Sequence, residues 1–348
     1  MGKKCILVSE CTSGDVIAQK IVSKYGAIIA VENTVVNNYI KNKLVTFEIK
    51  YIWIYGTSKD ESPKVIDATL LKSKKNYKEN AIKINELIND LSKGKNINFQ
   101  RIDEISNSIY SSINDEYYTV KWINELRSAD EYSYNHSINV SLYGMLLSKW
   151  LFLSEREIKD VAKAGMLHDI GKTKVPIEIL NKKGKLNSYE FEEIKKHPFY
   201  GYNIVKKVNS ISDEVKKAIL MHHERTDSSG YPMGINENEL SLYSKIIAIV
   251  DVYDAITSER VYKKRETPFE AFQIFQNSNI HCFDIHIMNV FLKNLAACYV
   301  GSKVLLSNGQ SGEIVYIPPH AITEPIISVD SKYIDLSKEN SLKITAML

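Results

Sequence analysis

Between about Phe99 and Cys298 the apolar residues recur at helical spacing, with almost no two-residue alternation to suggest strands. A stretch that long, read as helices with one apolar stripe each, must bury those stripes against one another. The chain is therefore expected to be mainly α. Capping signals divide the stretch. Thr267-Pro268-Phe269-Glu270 has the capping-box form with proline at the first helical position. Asn187 with Glu190 is a looser version leading into FEEIKKH, and Pro198 interrupts that helix. Ser212 precedes DEVKKAILMHHE, in which Val215, Ile219 and His222 share a face.

The flanks differ from this middle. Residues 1 to about 60 mix short β-rich pieces (Cys5 to Val8, Ala27 to Val31, Tyr51 to Tyr55) with a helix expected over Thr34 to Asn42. The lysine- and asparagine-rich segment from Ser58 to about Asn98 carries a helical stripe at Ile84, Leu87, Ile88 and Leu91, and the first boundary falls there. From about Val300 apolar runs flank Asn308-Gly309, a strong hairpin signal. Three segments are expected: a small α/β N-terminal regulatory or dimerisation segment (1–98), a helical segment (99–298) and a small β-hairpin-containing C-terminal module (299–348). The tyrosine-rich stretch Tyr110 to Tyr134 reads as a core helix rather than a partner surface, and no internal repeat appears.

A formal net charge of +3 gives no support to coating a nucleic-acid polymer, so any attraction to phosphate must be local. The four cysteines, Cys5, Cys11, Cys282 and Cys298, form no C-x-x-C pair and suggest neither a zinc ribbon nor a disulfide framework. No apolar run approaches the ~20 residues of a membrane span, and the N-terminal stretch lacks secretory features. A cytoplasmic protein is expected.

The chemistry concentrates in the helical middle, where five of the chain's eight histidines form a telling arrangement. His168 and Asp169 are adjacent in GMLHDIGK, and His222, His223 and Glu224 are adjacent in MHHERTDSSGYP. His136 and His197 stand alone on expected helices, and Asp251 lies in IVDVYDAITSER. Taken alone, His136 reads as a capped or core histidine and His197 as a helix-terminal one favoured by the dipole. Asp251 among Ile249, Val250 and Val252 is harder to explain, because a buried unpaired carboxylate costs several kcal/mol. Imidazole and carboxylate together suit iron, manganese, zinc or nickel, and a carboxylate beside a histidine can bridge two ions.

HDIGK, HHE followed by D-x-x-G-Y-P, and D-x-x-D-A-x-T-x-x-R-x-Y resemble the signature of HD-GYP domains, a branch of the HD phosphohydrolases. The resemblance runs in unbroken order from about Ser128 to Ala296. It implies an HD-type helical bundle that holds two divalent transition metals, iron or manganese, and hydrolyses cyclic di-GMP. On this resemblance His136, His168, Asp169 and Asp251 hold one metal. Asp169 is the catalytic bridge to a second, held by His197, His222 and His223. Lys172, a second catalytic candidate, contacts phosphate, and Tyr231, Arg260 and Lys263 lie near the substrate. Glu224 orients a ligand histidine. Without the motif, Arg260 and Lys263 would read as part of a solvated basic run with Lys264 and Arg265.

Two departures stand out. Ser228 replaces the glycine usual after the GYP-motif aspartate, where a positive φ is easier for glycine. Tyr132 stands where three-metal members carry a glutamate one turn before the first histidine, so two metals are expected. Two metals ~3.5–4 Å apart lower the pKa of a shared water and polarise phosphoryl oxygens, which implies attack by a bridging hydroxide. The product is the linear dinucleotide, with a second cut to GMP left open. The alternatives are another cyclic dinucleotide or nucleotide phosphoester as substrate, or a non-catalytic dinucleotide-binding signalling module. A diguanylate cyclase or other signalling protein is the partner expected, and a homodimer through helices the oligomer.

Overall fold

The computed structural model describes residues 3–22, 28–49, 51–55, 63–93, 95, 98–112, 119–120, 123, 132–258, 266–277, 282–330, 332–339 and 341–348. The chain divides into two compact units. One comprises Met1–Leu70, Thr267–Gln273 and Leu292–Leu348, and the other Leu71–Glu266 and Ile274–Phe291. No helix among the described residues is long and apolar enough to cross a membrane.

The second unit is helical. It contains most of α2 (Pro63–Ser92), then α3 (Gln100–Ser112), α4 (Tyr132–Trp150), α5 (Glu155–Leu167), α6 (Ser188–Ile194), α7 (His197–Val205), α8 (Asp213–Met221) and α9 (Leu242–Thr257). The expected breaks occur where the caps stand. Asn187 and Glu190 form a reciprocal capping box at the start of α6, and Ser212 accepts from the Val215 N–H at the start of α8. Thr267 and Glu270 form the box that opens α10 (Pro268–Asn277). Pro198 separates α6 from α7, where its missing N–H costs nothing in the first turn. The lysine- and asparagine-rich segment with the expected helical stripe contains one continuous helix, α2, with Ile84, Leu87 and Leu91 buried. Of the Tyr110 to Tyr134 stretch, most lies outside the described residues.

Helix α4 is the axis of this unit and is buried along most of its length, with Ile138, Leu142, Tyr143 and Leu146 inaccessible. It packs on α5 and α9. Ser141 spends its hydroxyl on the Ala162 carbonyl of α5 at 2.6 Å. Tyr143, Tyr253 and Phe291 meet edge to face with centroids 5.2–6.1 Å apart, the arrangement aromatic quadrupoles favour. These contacts hold together the helices α4, α5 and α9, which carry or lead into the histidines and aspartates described below.

The first unit brings together the two ends of the chain. Strands β1 (Lys3–Leu7) and β4 (Tyr51–Tyr55) pair antiparallel, as do the short β2 (Ile21–Val22) and β3 (Ile28–Ala30). Helix α1 (Asn38–Thr46) buries Ile40 and Leu44 in a core with Ile6, Ile17, Ile29 and Ile52. The helix begins later than the expected Thr34. The β-branched Thr34 and Val36 are engaged in extended pairing with Ile17 and Asp15, and Asn37 caps the helix by accepting from the Ile40 N–H. Beyond α11 (Ile285–Ala297) the chain forms an antiparallel five-stranded sheet in the order β8-β7-β6-β5-β9. Its strands are β5 (Lys303–Leu306), β6 (Ser311–Tyr316), β7 (Ile326–Val329), β8 (Lys332–Asp335) and β9 (Ile344–Met347). The Asn308-Gly309 hairpin joins β5 to β6, with Gly309 at φ +83°. Tyr39 of α1 packs between Tyr316 and Tyr333, and the Lys43 ammonium sits 3.5 Å over the Tyr316 ring.

Candidate metal centre

The centre lies in the helical unit and is assembled mostly from helix ends. His168 closes α5 and Asp169 follows it. His197 opens α7, His222 closes α8 and His223 follows, while Asp251 projects from within α9 and His136 from the first turns of α4. Helix ends leave carbonyls without intrahelical donors, and the histidines use them. His168, His197 and His222 each give Nδ1–H to the carbonyl three residues back (Gly165, Ile194 and Ile219) at 2.8, 2.7 and 2.9 Å. Each bond fixes the ring's tautomer and turns a bare Nε2 toward the centre.

All seven expected ligand residues come together, in two groups. His136, His168 and Asp251 form one; Asp169, His197, His222 and His223 form the other, and within each group the ligand atoms lie within 4.8 Å of one another. Asp169 faces both. Its Oδ2 lies 3.4 Å from His168 Nε2 and 3.8 Å from His136 Nε2, and its Oδ1 lies 3.2 Å from His197 Nε2. His136 Nε2 is 3.2 Å from Asp251 Oδ1.

The donor chemistry fits divalent transition metals. The Nε2 atoms of His197 and His222 face each other at 3.1 Å. With both Nδ1–H groups spent on carbonyls, neutral rings would oppose two lone pairs there, an arrangement that calls for a cation. His168 Nε2 and Asp169 Oδ1 are buried without a hydrogen-bond partner, although unsatisfied buried polar atoms are rare and costly. Nitrogen and carboxylate donors converging in this way match iron, manganese or zinc rather than the all-oxygen shell of magnesium.

Electrostatics differ across the centre. Burial drives the His222 imidazole well below its usual pKa, helped by the neighbouring His223 and His168. Burial likewise lowers His223 to about 3. Burial opposes protonation of His136 too, but its bonds to Asp251 and Asp254 outweigh it and raise the pKa to about 10. Burial would raise the Asp169 and Asp251 carboxyls; the surrounding cations and donors, Lys172 for Asp169 and His136 for Asp251, hold both well below the usual range. The carboxylates are thus ionised and the His222–His223 pair neutral at pH 7, the protonation states that coordination requires.

Asp254 was not singled out from the sequence. Its fully buried carboxylate accepts from His136 Nδ1 at 2.8 Å, the carboxylate–histidine arrangement that orients metal ligands. It stands three residues after Asp251 on α9 and so on the same face. The signal was the D-x-x-D spacing, but its meaning depends on His136, which is 118 residues away.

The remaining expected residues are distributed around this core. Lys172 bonds Asp169 Oδ2 at 2.6 Å and is 40% exposed, so its ammonium sits between the bridge position and solvent. Tyr231 stacks on the His223 ring, with centroids 4.5 Å apart and planes 27° apart. Glu224 departs from its expected role. Its buried carboxylate accepts from the backbone N–H groups of Met233, Gly234 and Ile235, so it braces the GYP loop rather than a histidine. Arg260 and Lys263 lie outside the described residues.

Two motif glycines have steric reasons. A Cβ on Gly171 would strike the His197 carbonyl oxygen, and one on Gly230 would come within 2.5 Å of the His223 oxygen and the Arg225 nitrogen. Both lie where backbone must pass close behind a ligand histidine. Ser228 occupies φ +63°. The loop keeps the left-handed turn that glycine would favour, at a cost of roughly 1–2 kcal/mol.

Comparison with known proteins agrees with this geometry. Residues 123–287 match the family model described as HD domain. The chain is 36% identical over 228 residues to a cyclic di-GMP phosphodiesterase of Pseudomonas aeruginosa, covering 66% of this chain and 54% of that protein. It is 34% identical over 165 residues to a cyclic di-GMP phosphodiesterase of Thermotoga maritima (47% and 45%). It is also 34% identical over 150 residues to a 3′3′-cGAMP-specific phosphodiesterase of Vibrio cholerae (43% and 32%). The chain thus spans about half or less of the length of these relatives. The family match covers the helical segment, and the described residues of the three signature motifs meet in one centre, so residues 123–287 resemble the HD-domain family and its HD-GYP branch.

Proposed function

We propose that the chain is a metal-dependent phosphodiesterase that hydrolyses cyclic di-GMP to the linear dinucleotide. The observation carrying this reading is the pair of opposed Nε2 atoms of His197 and His222, beside an Asp169 carboxylate whose two oxygens face different histidine groups. Such a centre needs cations and has room for two sets of ligands around one shared carboxylate. The names of the Pseudomonas and Thermotoga relatives supply the substrate.

In this reading His136, His168, Asp169 and Asp251 hold one ion, and Asp169, His197, His222 and His223 hold the other, iron or manganese in both. When bound, the ions supply Lewis acidity toward the phosphodiester and lower the pKa of water. The chain's own residues do the rest. Asp254 holds His136 in the tautomer whose Nε2 faces the centre. Lys172 turns from Asp169 to a nonbridging phosphate oxygen, where an ammonium offsets the charge that repels the nucleophile. Tyr231, rigid against His223, forms one wall of the site, and Arg260 and Lys263 add donors to the phosphate. Glu224 keeps the loop that carries Tyr231 in register. Residues 99–298 form the catalytic segment, and the N-terminal 1–98 and C-terminal 299–348 segments are regulatory or dimerisation pieces. A cytoplasmic homodimer working with a diguanylate cyclase completes the proposal.

A second reading, cleavage of 3′3′-cGAMP, is favoured by the Vibrio relative, whose identity to this chain equals that of the Thermotoga one. The test is hydrolysis of both dinucleotides by protein loaded anaerobically with iron(II) or manganese. Metal-dependent release of linear product, faster from cyclic di-GMP, is expected. Faster release from the mixed dinucleotide would select the second reading, and binding without turnover would leave a non-catalytic module.

A further inference from the structure

Tyr231 is not the last group in line from the centre. The ammonium of Lys195 lies 5.6 Å from the Tyr231 ring centroid and equally 5.6 Å from that of Phe191. Phe191 and Lys195 stand one helical turn apart at the end of α6, joined by the Lys195 N–H to Phe191 carbonyl bond at 3.1 Å, so their side chains share a face. Lys195 also lies two residues before His197 in the chain. A strip therefore runs outward from the metal ligands: His223, Tyr231 stacked on it, Lys195, then Phe191 with half its surface open to solvent.

The strip's chemistry is specific. One cation lies 5.6 Å from two ring centroids, and among the described residues its carboxylate partner is Glu192 at 2.9 Å. Glu192 is 63% exposed, and exposed pairs of this kind contribute little to stability. The carboxylate can therefore be exchanged for another anion at low cost. A cyclic dinucleotide presents such an anion. It carries two phosphodiesters, of which only one can lie at the metal centre, and the other is displaced by a nucleoside whose base offers a flat face to an aromatic ring.

We propose that Lys195 binds the second, non-reacting phosphodiester of the cyclic dinucleotide, with Phe191 beneath the adjoining base. The inference rests on the phosphodiesterase reading above and deepens it, since it makes Lys195 a residue that separates cyclic dinucleotides from substrates with one phosphate. Bound charge at Lys195 replaces Glu192, and no covalent step involves either residue.

The test compares two substrates on the manganese-loaded full chain: cyclic di-GMP, with two phosphodiesters, and bis(p-nitrophenyl) phosphate, with one. Lys195→Ala should raise KM for cyclic di-GMP about tenfold or more, the loss of one charged hydrogen bond, with the rise concentrated in that substrate. Lys195→Arg should restore most of the loss. Lys195→Gln serves in place of the alanine variant if thermal unfolding shows that variant to be misfolded. A KM for cyclic di-GMP within about twofold of wild type, or equal rises for both substrates, would overturn the proposal. Failure of the wild-type protein to cut any cyclic dinucleotide while it cuts bis(p-nitrophenyl) phosphate would instead sink the reading of function, and the role of Lys195 with it.

Discussion

The two halves of the metal centre are built from different material. Around His136 the structure sets two carboxylates from one helix, Asp251 at 3.2 Å from Nε2 and Asp254 at 2.8 Å from Nδ1. Around His197, His222 and His223 there is one carboxylate, Asp169, and the supporting acceptors are backbone carbonyls. The same side chain therefore behaves in opposite ways. His136 is pushed up to about 10 and holds a proton in the metal-free protein, whereas His223 is pushed down to about 3 and holds none. The carboxylate-rich half carries a cation whether or not metal is present, and metal entry must displace a proton there. The imidazole-rich half has lone pairs and nothing to oppose them. What backs a histidine thus decides as much as what it faces.

The strongest way to break this comparison is to remove the group the halves share. Asp169→Ala should reduce cyclic di-GMP hydrolysis to background even in metal-loaded protein, as followed by chromatography of the products. A retained rate would mean that the halves work independently. Asp254→Asn should come next, because it keeps the shape behind His136 and deletes the charge. Metal affinity should fall by about 10–100-fold in a chelator competition. Unaltered affinity would show that the carboxylate behind His136 contributes nothing to coordination.

The pH dependence of the metal-free protein sharpens the same contrast. His136 has its folded pKa above the ordinary 6.5, so its contribution to stability is full below pH 6.5 and is lost as pH rises toward about 10. His223 has its folded pKa below 6.5, so its contribution is full above pH 6.5 and is lost as pH falls toward about 3. Denaturant unfolding of metal-free protein should therefore be most difficult near neutrality, and Asp254→Asn should flatten the alkaline limb. An alkaline limb identical in the variant would contradict the assignment. The smallest effect is expected at Ser228, which is in neither ligand group. Ser228→Gly relieves a positive φ and should raise stability by about 1 kcal/mol in a thermal melt; a loss would mean that the serine is favoured at that turn.

Much of this was legible in the sequence, and the reasons are local. Caps are read from three or four residues, so Asn187-Glu190, Ser212 and Thr267-Glu270 mark real helix starts. The doublets His168-Asp169 and His222-His223 announce themselves because helix ends place neighbouring side chains at one point. Where propensities compete, boundaries move: Thr34 to Val36 are drawn into extended pairing and α1 waits for Asn37. Less legible were features that depend on distant partners. Asp254 acquires its role only when α4 delivers His136. Glu224 sits beside the histidines in sequence, yet its carboxylate turns to the backbone of residues 233–235. Lys195 looks like one more lysine at the end of a helix until Tyr231 folds back next to it.

The proposed activity depends on two ions sharing Asp169. Manganese(II) titrated into metal-free protein and followed by electron paramagnetic resonance tests it directly. Two ions per chain with an exchange-coupled signal, lost in Asp169→Ala, is the predicted result. A single ion per chain, or two whose signals remain uncoupled in the wild-type protein, would contradict it.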